Sequence, residues 1–151
     1  MNRVMLLAVV LLACVACQDM TNVEGNPTAS TEDLGGDWVL THFARGEEVS
    51  EGIEITLQFD QDRIAGKSAC NRYNGTLSEG NMPGEIRLDG PMATTRMMCP
   101  PLQMDAEQRY LRALENLQRY SFTAGRLALS WSGEDGMGEL IFSRLSPERS
   151  E

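Results

Sequence analysis

The chain has 151 residues, 42% hydrophobic and 23% charged, enough for one globular domain with a buried core and too few for two. With 13 Lys+Arg against 22 Asp+Glu, and the acids scattered, it lacks the basic face that nucleic-acid phosphates require. The same balance gives no support for an amphipathic helix lying on anionic lipid.

The N-terminus reads as a secretory leader. Arg3 gives a positive flank, Val4 to Ala13 a short apolar run, and small residues and cysteines follow. The run is too short to span a bilayer as a permanent helix. Leu11-Leu12-Ala13-Cys14 and Cys14-Val15-Ala16-Cys17 both resemble the bacterial lipobox, in which small residues precede a cysteine that is lipidated and becomes the new N-terminus. Cys14 has the better residue three places upstream, Leu11, but cleavage there leaves Cys17 as an odd thiol in an oxidising compartment. Cleavage before Cys17 discards Cys14 and leaves an even pair, Cys70 and Cys99. Cys17 is therefore the favoured lipidation site and Cys14 the alternative; an ordinary signal peptide without lipid is the third reading. Residues 1–16 are then a lipoprotein signal peptide, whose loss removes Arg3 and leaves 12 Lys+Arg against 22 Asp+Glu. Gln18 rather than an aspartate follows the anchor, which favours an outer-membrane lipoprotein facing the periplasm over inner-membrane retention.

Residues 17–33 are polar and broken, with Gly25, Pro27, Ser30 and Thr31, and read as a flexible tether. The domain is expected over residues 34–146. Gly35-Gly36-Asp37 opens it, and a strand follows from Trp38 to Phe43, with Trp38 and Leu40 on one face and the indole anchoring the core. A charged loop from Arg45 to Glu51 leads to Ile53–Phe59, which alternates apolar and polar without a miss and predicts a strand. Asp60-Gln61-Asp62 turns the chain into a hairpin partner, 63–68, that runs into Cys70. Asn71, Asn74 and Gly75 suit tight turning, since Asn and Gly tolerate positive φ and the Asn amide can cap neighbouring backbone groups. Short strands are expected at 76–78, 85–88 and 92–96.

Pro100-Pro101 stops the last of these and precedes the one helix. Asp105 can cap it, and Tyr110, Leu111, Leu114 and Leu117 recur at the spacing of one apolar face; Glu107, Arg109, Arg112, Glu115 and Gln118 are assigned to the wet face. The helix should cover an open side or end of the sheet. Strands at 121–123, 126–131 and 139–145 complete the domain, and 146–151 is a frayed end. Some seven or eight short strands with one late α-helix predict an α+β domain, small, antiparallel and β-barrel-like.

The residues able to carry chemistry are few. Cys70 and Cys99 form a structural disulfide on the main reading; redox catalysis would usually want a vicinal Cys-x-x-Cys pair, and a soft Cu(I) site would use Cys99 with Met97, Met98 and Met104. His42 is the only histidine and reads as a hydrogen-bonded structural residue. No Ser/His/Asp order, phosphate loop or His-x-x-x-His pair occurs, which argues against a hydrolase or nucleotide enzyme, and neither a metal nor a cofactor is expected. Arg72, Tyr73 and Arg96 are the binding candidates, as residue types favoured in contact hot spots; the alternative is that Tyr73 packs and the arginines pair with surface acids.

Trp38 opening the first strand, Cys70-Asn71-Arg72-Tyr73-Asn74-Gly75, Thr94-Thr95-Arg96-Met97-Met98-Cys99-Pro100, and a helix carrying Glu107 and Tyr110-Leu111 together resemble the META domain, also called the HslJ-like family. The resemblance covers about residues 34 to 145. It implies a small barrel-like fold with one helix, commonly exported and often lipid-anchored in bacteria, associated with envelope stress and secretion-related roles and with no established enzymatic activity. The expected function is therefore that of a non-enzymatic envelope protein, held to the membrane by its lipid, that binds or supports an envelope protein. A periplasmic carrier of a small hydrophobic ligand, with an apolar cavity between sheet and helix, is the alternative.

Overall fold

A computed structural model describes residues 34–134 and 136–145. The expected signal peptide, the lipidation candidates Cys14 and Cys17, and the expected tether lie outside the described residues, as does the end from 146 onward.

The alternation read in the sequence is the alternation of a barrel wall. In β1 (Gly36–Phe43), Trp38 and Leu40 point inward; in β3 (Thr56–Asp60), Leu57 and Phe59 do so. The phase of β1 slips at a bulge between Leu40 and His42, where its register against the last strand shifts. One extra residue turns the following side chain over, so Phe43 is buried and His42 is left half-buried, its Nδ1 2.9 Å from Thr41 Oγ1.

β2 (Glu47–Glu48) pairs with the end of β1 inside the stretch read as a charged loop. β4 (Arg63–Lys67) closes the hairpin with β3, and β5 (Arg72–Glu79) pairs with β4. β5 thus begins inside the motif, so Arg72 and Tyr73 are strand residues on opposite faces. β6 (Ile86–Leu88) and the two-residue β7 (Ala93–Thr94) both pair with β5. β8 (Leu117–Thr123), β9 (Arg126–Gly133) and β10 (Gly136–Arg144) form a meander. Leu117, expected on the helix, begins β8.

The sheet order is β6-β5-β4-β3-β1-β10-β9-β8, with every pairing antiparallel. Its two ends meet. Glu85 bridges Arg119, and the Tyr120 N–H donates to the Gly84 carbonyl at 2.8 Å, so eight strands make a nearly closed barrel. Closure matters because an open edge is a template for pairing with another chain. Trp38, Ile64, Leu127, Leu129, Leu140 and Phe142 fill the interior at 0–2% exposure. Each such burial is worth about 1.5–3 kcal/mol.

The helix α1 (Pro101–Glu115) starts four residues before the expected cap. Pro101 itself occupies the first turn, where a missing N–H costs nothing and φ is already set. Its buried face is Ala106, Glu107, Tyr110, Ala113 and Leu114, so Leu111 is only half-buried and Glu107 is not on the wet face. The helix packs on one end of the barrel, beside β6 and β9.

The strand registers define two poles. Leu34 and Gly36, Phe59 and the 60–63 turn, Thr76 and Arg144 share one. Ser68, Arg72, Thr94 and the helix lie towards the other.

Candidate functional site

The motif Cys70-Asn71-Arg72-Tyr73 comes together with 94–99 around one carboxylate. Ala69 takes φ 81°, which turns the chain between β4 and β5 and aims the next backbone N–H groups at the helix. Glu107 Oε2 accepts from the Asn71 N–H at 2.7 Å and Ser68 Oγ at 2.7 Å, and Oε1 accepts from Asn71 Nδ2 at 2.8 Å. Burial alone would raise the Glu107 pKa. The donated bonds from Ser68, from the Asn71 amide and N–H and from the Cys70 N–H outweigh it and hold the carboxyl below its ordinary value. Asn71 passes the constraint on, because its Oδ1 accepts from Thr95 Oγ1 at 2.9 Å and from the Met97 N–H at 2.7 Å.

Helix, turn and loop are therefore tied through one glutamate and one asparagine, and the Cys70–Cys99 disulfide, with Cα atoms 5.9 Å apart, ties them covalently. Both sulfurs are spent in that bond. Cys99 is thus no thiolate for the soft-metal reading, and among the described residues no group of three or more His, Cys, Asp or Glu could hold a metal ion.

Tyr73 leaves the surface patch. Its position on β5 turns it inward, where it is 2% exposed, donates to the Thr56 carbonyl at 3.0 Å and stands 2.6 Å from the Tyr110 hydroxyl. With Tyr73 Oη donating to Thr56, the Tyr110 hydroxyl donates to Tyr73. Burial pushes both phenols far above their ordinary pKa, so they stay protonated as parts of the core.

Arg72 and Arg96 remain outside. Thr95 N donates to the Arg72 carbonyl at 3.0 Å, which sets the two arginines on adjoining segments. Neither guanidinium has an ion pair or hydrogen bond among the described residues. Beside them stand side chains that the candidate set omitted: Met97 at 54%, Met98 at 95%, Leu102 at 58% and Met104 at 36% exposure. From sequence alone these methionines read as metal ligands or as core. The available signal was Asn71 next to Cys70, because a clamped backbone holds 97–99 at the surface.

Two of the cavities among the described residues have mainly apolar linings and bear on a ligand. A slot of about 190 Å³ between helix and sheet is lined by Phe43, Arg109, Ala113, Trp131 and Leu140. Arg109 closes over it, 4.3 Å above the Phe43 ring and bound through both nitrogens to Glu47 at 3.0 and 2.7 Å. A cleft of about 650 Å³ opens at the opposite pole, between Leu34, Phe59, Leu77 and Ile86 and the acids Asp60, Asp62 and Glu79.

The family model described as META domain matches residues 31–144. A protein from Burkholderia xenovorans, solved by NMR, is 27% identical with a TM-score of 0.57, over 79% of this chain and 88% of its own. A second NMR structure is 24% identical with a TM-score of 0.58, over 77% and 95% of the two chains. A crystal structure of a DUF4847 family protein from Bacteroides vulgatus, 14% identical with a TM-score of 0.53 over 76% and 96%, shares the fold. No curated protein matches the chain.

Proposed function

This chain belongs to the META domain family, and on that premise we propose that it is a non-enzymatic, lipid-anchored protein of the bacterial envelope whose barrel docks another envelope component. The observation that carries the reading is the exposed set Met97, Met98, Leu102 and Met104 on a disulfide-tied loop and helix start, flanked by two arginines without partners among the described residues. Large exposed apolar groups cost solubility unless something covers them, and methionine adapts its shape to the surface it meets. Arginine beside them selects a partner that offers acidic side chains next to apolar ones.

The anchor rests on the leader, with lipid on Cys17, or Cys14 in the alternative, and the outer membrane as the address. The docking face lies at the pole opposite Leu34, where the described chain begins, so an anchored barrel would turn it away from the bilayer. Stress or secretion-related roles follow from the family association. Absence of catalysis rests on the sequence, which assembles no nucleophile with a base. The carrier alternative gains nothing between helix and sheet, where the slot of about 190 Å³ is under the ~300 Å³ of small-ligand pockets.

A photo-crosslinking residue at Met98 of the lipidated protein, in cells, is expected to capture one acidic envelope protein reproducibly. Arg72→Glu with Arg96→Glu should cut that capture about tenfold, equivalent to ~1.4 kcal/mol, while Glu51→Gln leaves it unchanged. Repeated capture of nothing above a lipidated control without the barrel sinks the reading.

A further inference from the structure

We propose that the cleft at the Leu34 pole binds a cationic amphiphile, a small molecule with an ammonium or guanidinium head and an apolar chain. The site is distinct from the docking face and goes beyond the function proposed above. Its volume, about 650 Å³, falls within the ~300–1,000 Å³ of small-molecule sites. Phe59, Leu77 and Ile86 make the floor.

The rim follows from the strand pattern. Leu77 and Glu79 share the inward parity of β5, so one inward-parity position at the lip of the barrel holds a carboxylate instead of an apolar group, and the turn before β4 brings Asp60 and Asp62 to the same cleft. The Leu77 N–H donates to the Asp62 carbonyl at 2.7 Å, which fixes the turn carrying Asp60 and Asp62 against β5. No Lys or Arg lines the cleft, and among the described residues none of the three carboxylates has an ion pair or hydrogen bond. Three carboxylates around an apolar floor, with no cation among the lining residues, complement a ligand whose head is cationic and whose chain covers the floor.

Charge also chooses among occupants. Residues 18–33 contain Asp19, Glu24, Glu32 and Asp33 and no base, so this segment brings no charge that complements an acidic rim. A second copy could enter only by its Arg72 and Arg96 face, so self-association of the chain in the absence of decylammonium would overturn the proposal.

The test uses the exported full chain carrying Cys14→Ser and Cys17→Ser, titrated below micelle-forming concentrations with decylammonium, decanol and decyl sulfate and followed by amide chemical shifts. Decylammonium is expected to saturate, moving the amides of Phe59, Asp62, Leu77 and Ile86. Asp60→Asn with Asp62→Asn and Glu79→Gln should weaken it about tenfold, equivalent to ~1.4 kcal/mol. Raising salt should weaken it too. Glu48→Gln with Glu51→Gln, at the far pole, should leave it unchanged. Decanol or decyl sulfate binding as tightly, shifts confined to other residues, or no saturation overturns the proposal, as does a basic peptide binding there where decylammonium does not.

Discussion

Glu107 is the residue on which three segments converge. A charge 8% exposed would be costly alone; here the acceptor oxygens meet N–H and O–H donors from Ser68, Cys70 and Asn71. Glu107→Gln keeps the volume but points an NH2 group at donors. The variant should lose about 2–3 kcal/mol in urea unfolding. The pH dependence has a definite sign. Because the folded carboxyl titrates below its ordinary value of 4.5, its contribution is complete well above that value. It is lost as the pH falls through the folded pKa. The acid limb of stability should therefore flatten in Glu107→Gln, and an unchanged limb would refute the assignment. This role was within reach of the sequence, since 107, 110 and 114 follow the i, i+3, i+7 spacing of one helix face. Residue type, read ahead of spacing, put Glu107 on the wrong side.

At the scale of elements, the loop 94–100 has almost no secondary structure of its own beyond Ala93–Thr94, yet it is held by Asn71 and by a bridge between residues 29 apart. Replacing both cysteines with serine should cost about 3–4 kcal/mol by the loop-closure argument. Amide exchange should rise first at 95–99, with the β9–β10 meander still protected. A uniform rise across the barrel would mean that the bridge supports the whole fold instead of this loop. The helix begins at Pro101, ahead of the Asp105 that the sequence offers as a cap, because a proline in the first turn needs no N–H partner and has its φ already set.

At the scale of the molecule, the barrel depends on one narrow seam. Gly84 has φ 75°, and a Cβ there would sit 2.9 Å from the Tyr120 carbonyl, while its own carbonyl accepts the Tyr120 N–H. Gly84→Ala should cost about 1–3 kcal/mol from the left-handed backbone and the close approach. It should also speed amide exchange at Tyr120 more than at Leu129. Equal protection would show that β6 and β8 close without this residue. Closure also sets the two poles apart, with the methionine and arginine face at one and the acid-rimmed cleft at the other, so the two proposed interactions can be tested independently.

Alternation with period two along 53–59, 126–131 and 139–145, turn residues between the strands and one late amphipathic run were enough to give the barrel class and its single helix. Local sequence carries that information because each strand must present one face to the core. The proposed compartment rests only on the leader and the cysteines. Tertiary structure alone decided which way Tyr73 points, that Glu107 is buried, and that Met97 and Met98 stand in solvent beside two arginines. Those outcomes depend on the Asn71 bonds to Glu107 and Met97 and on the Cys70–Cys99 bridge, which join residues far apart in the chain whose relative placement no local periodicity encodes.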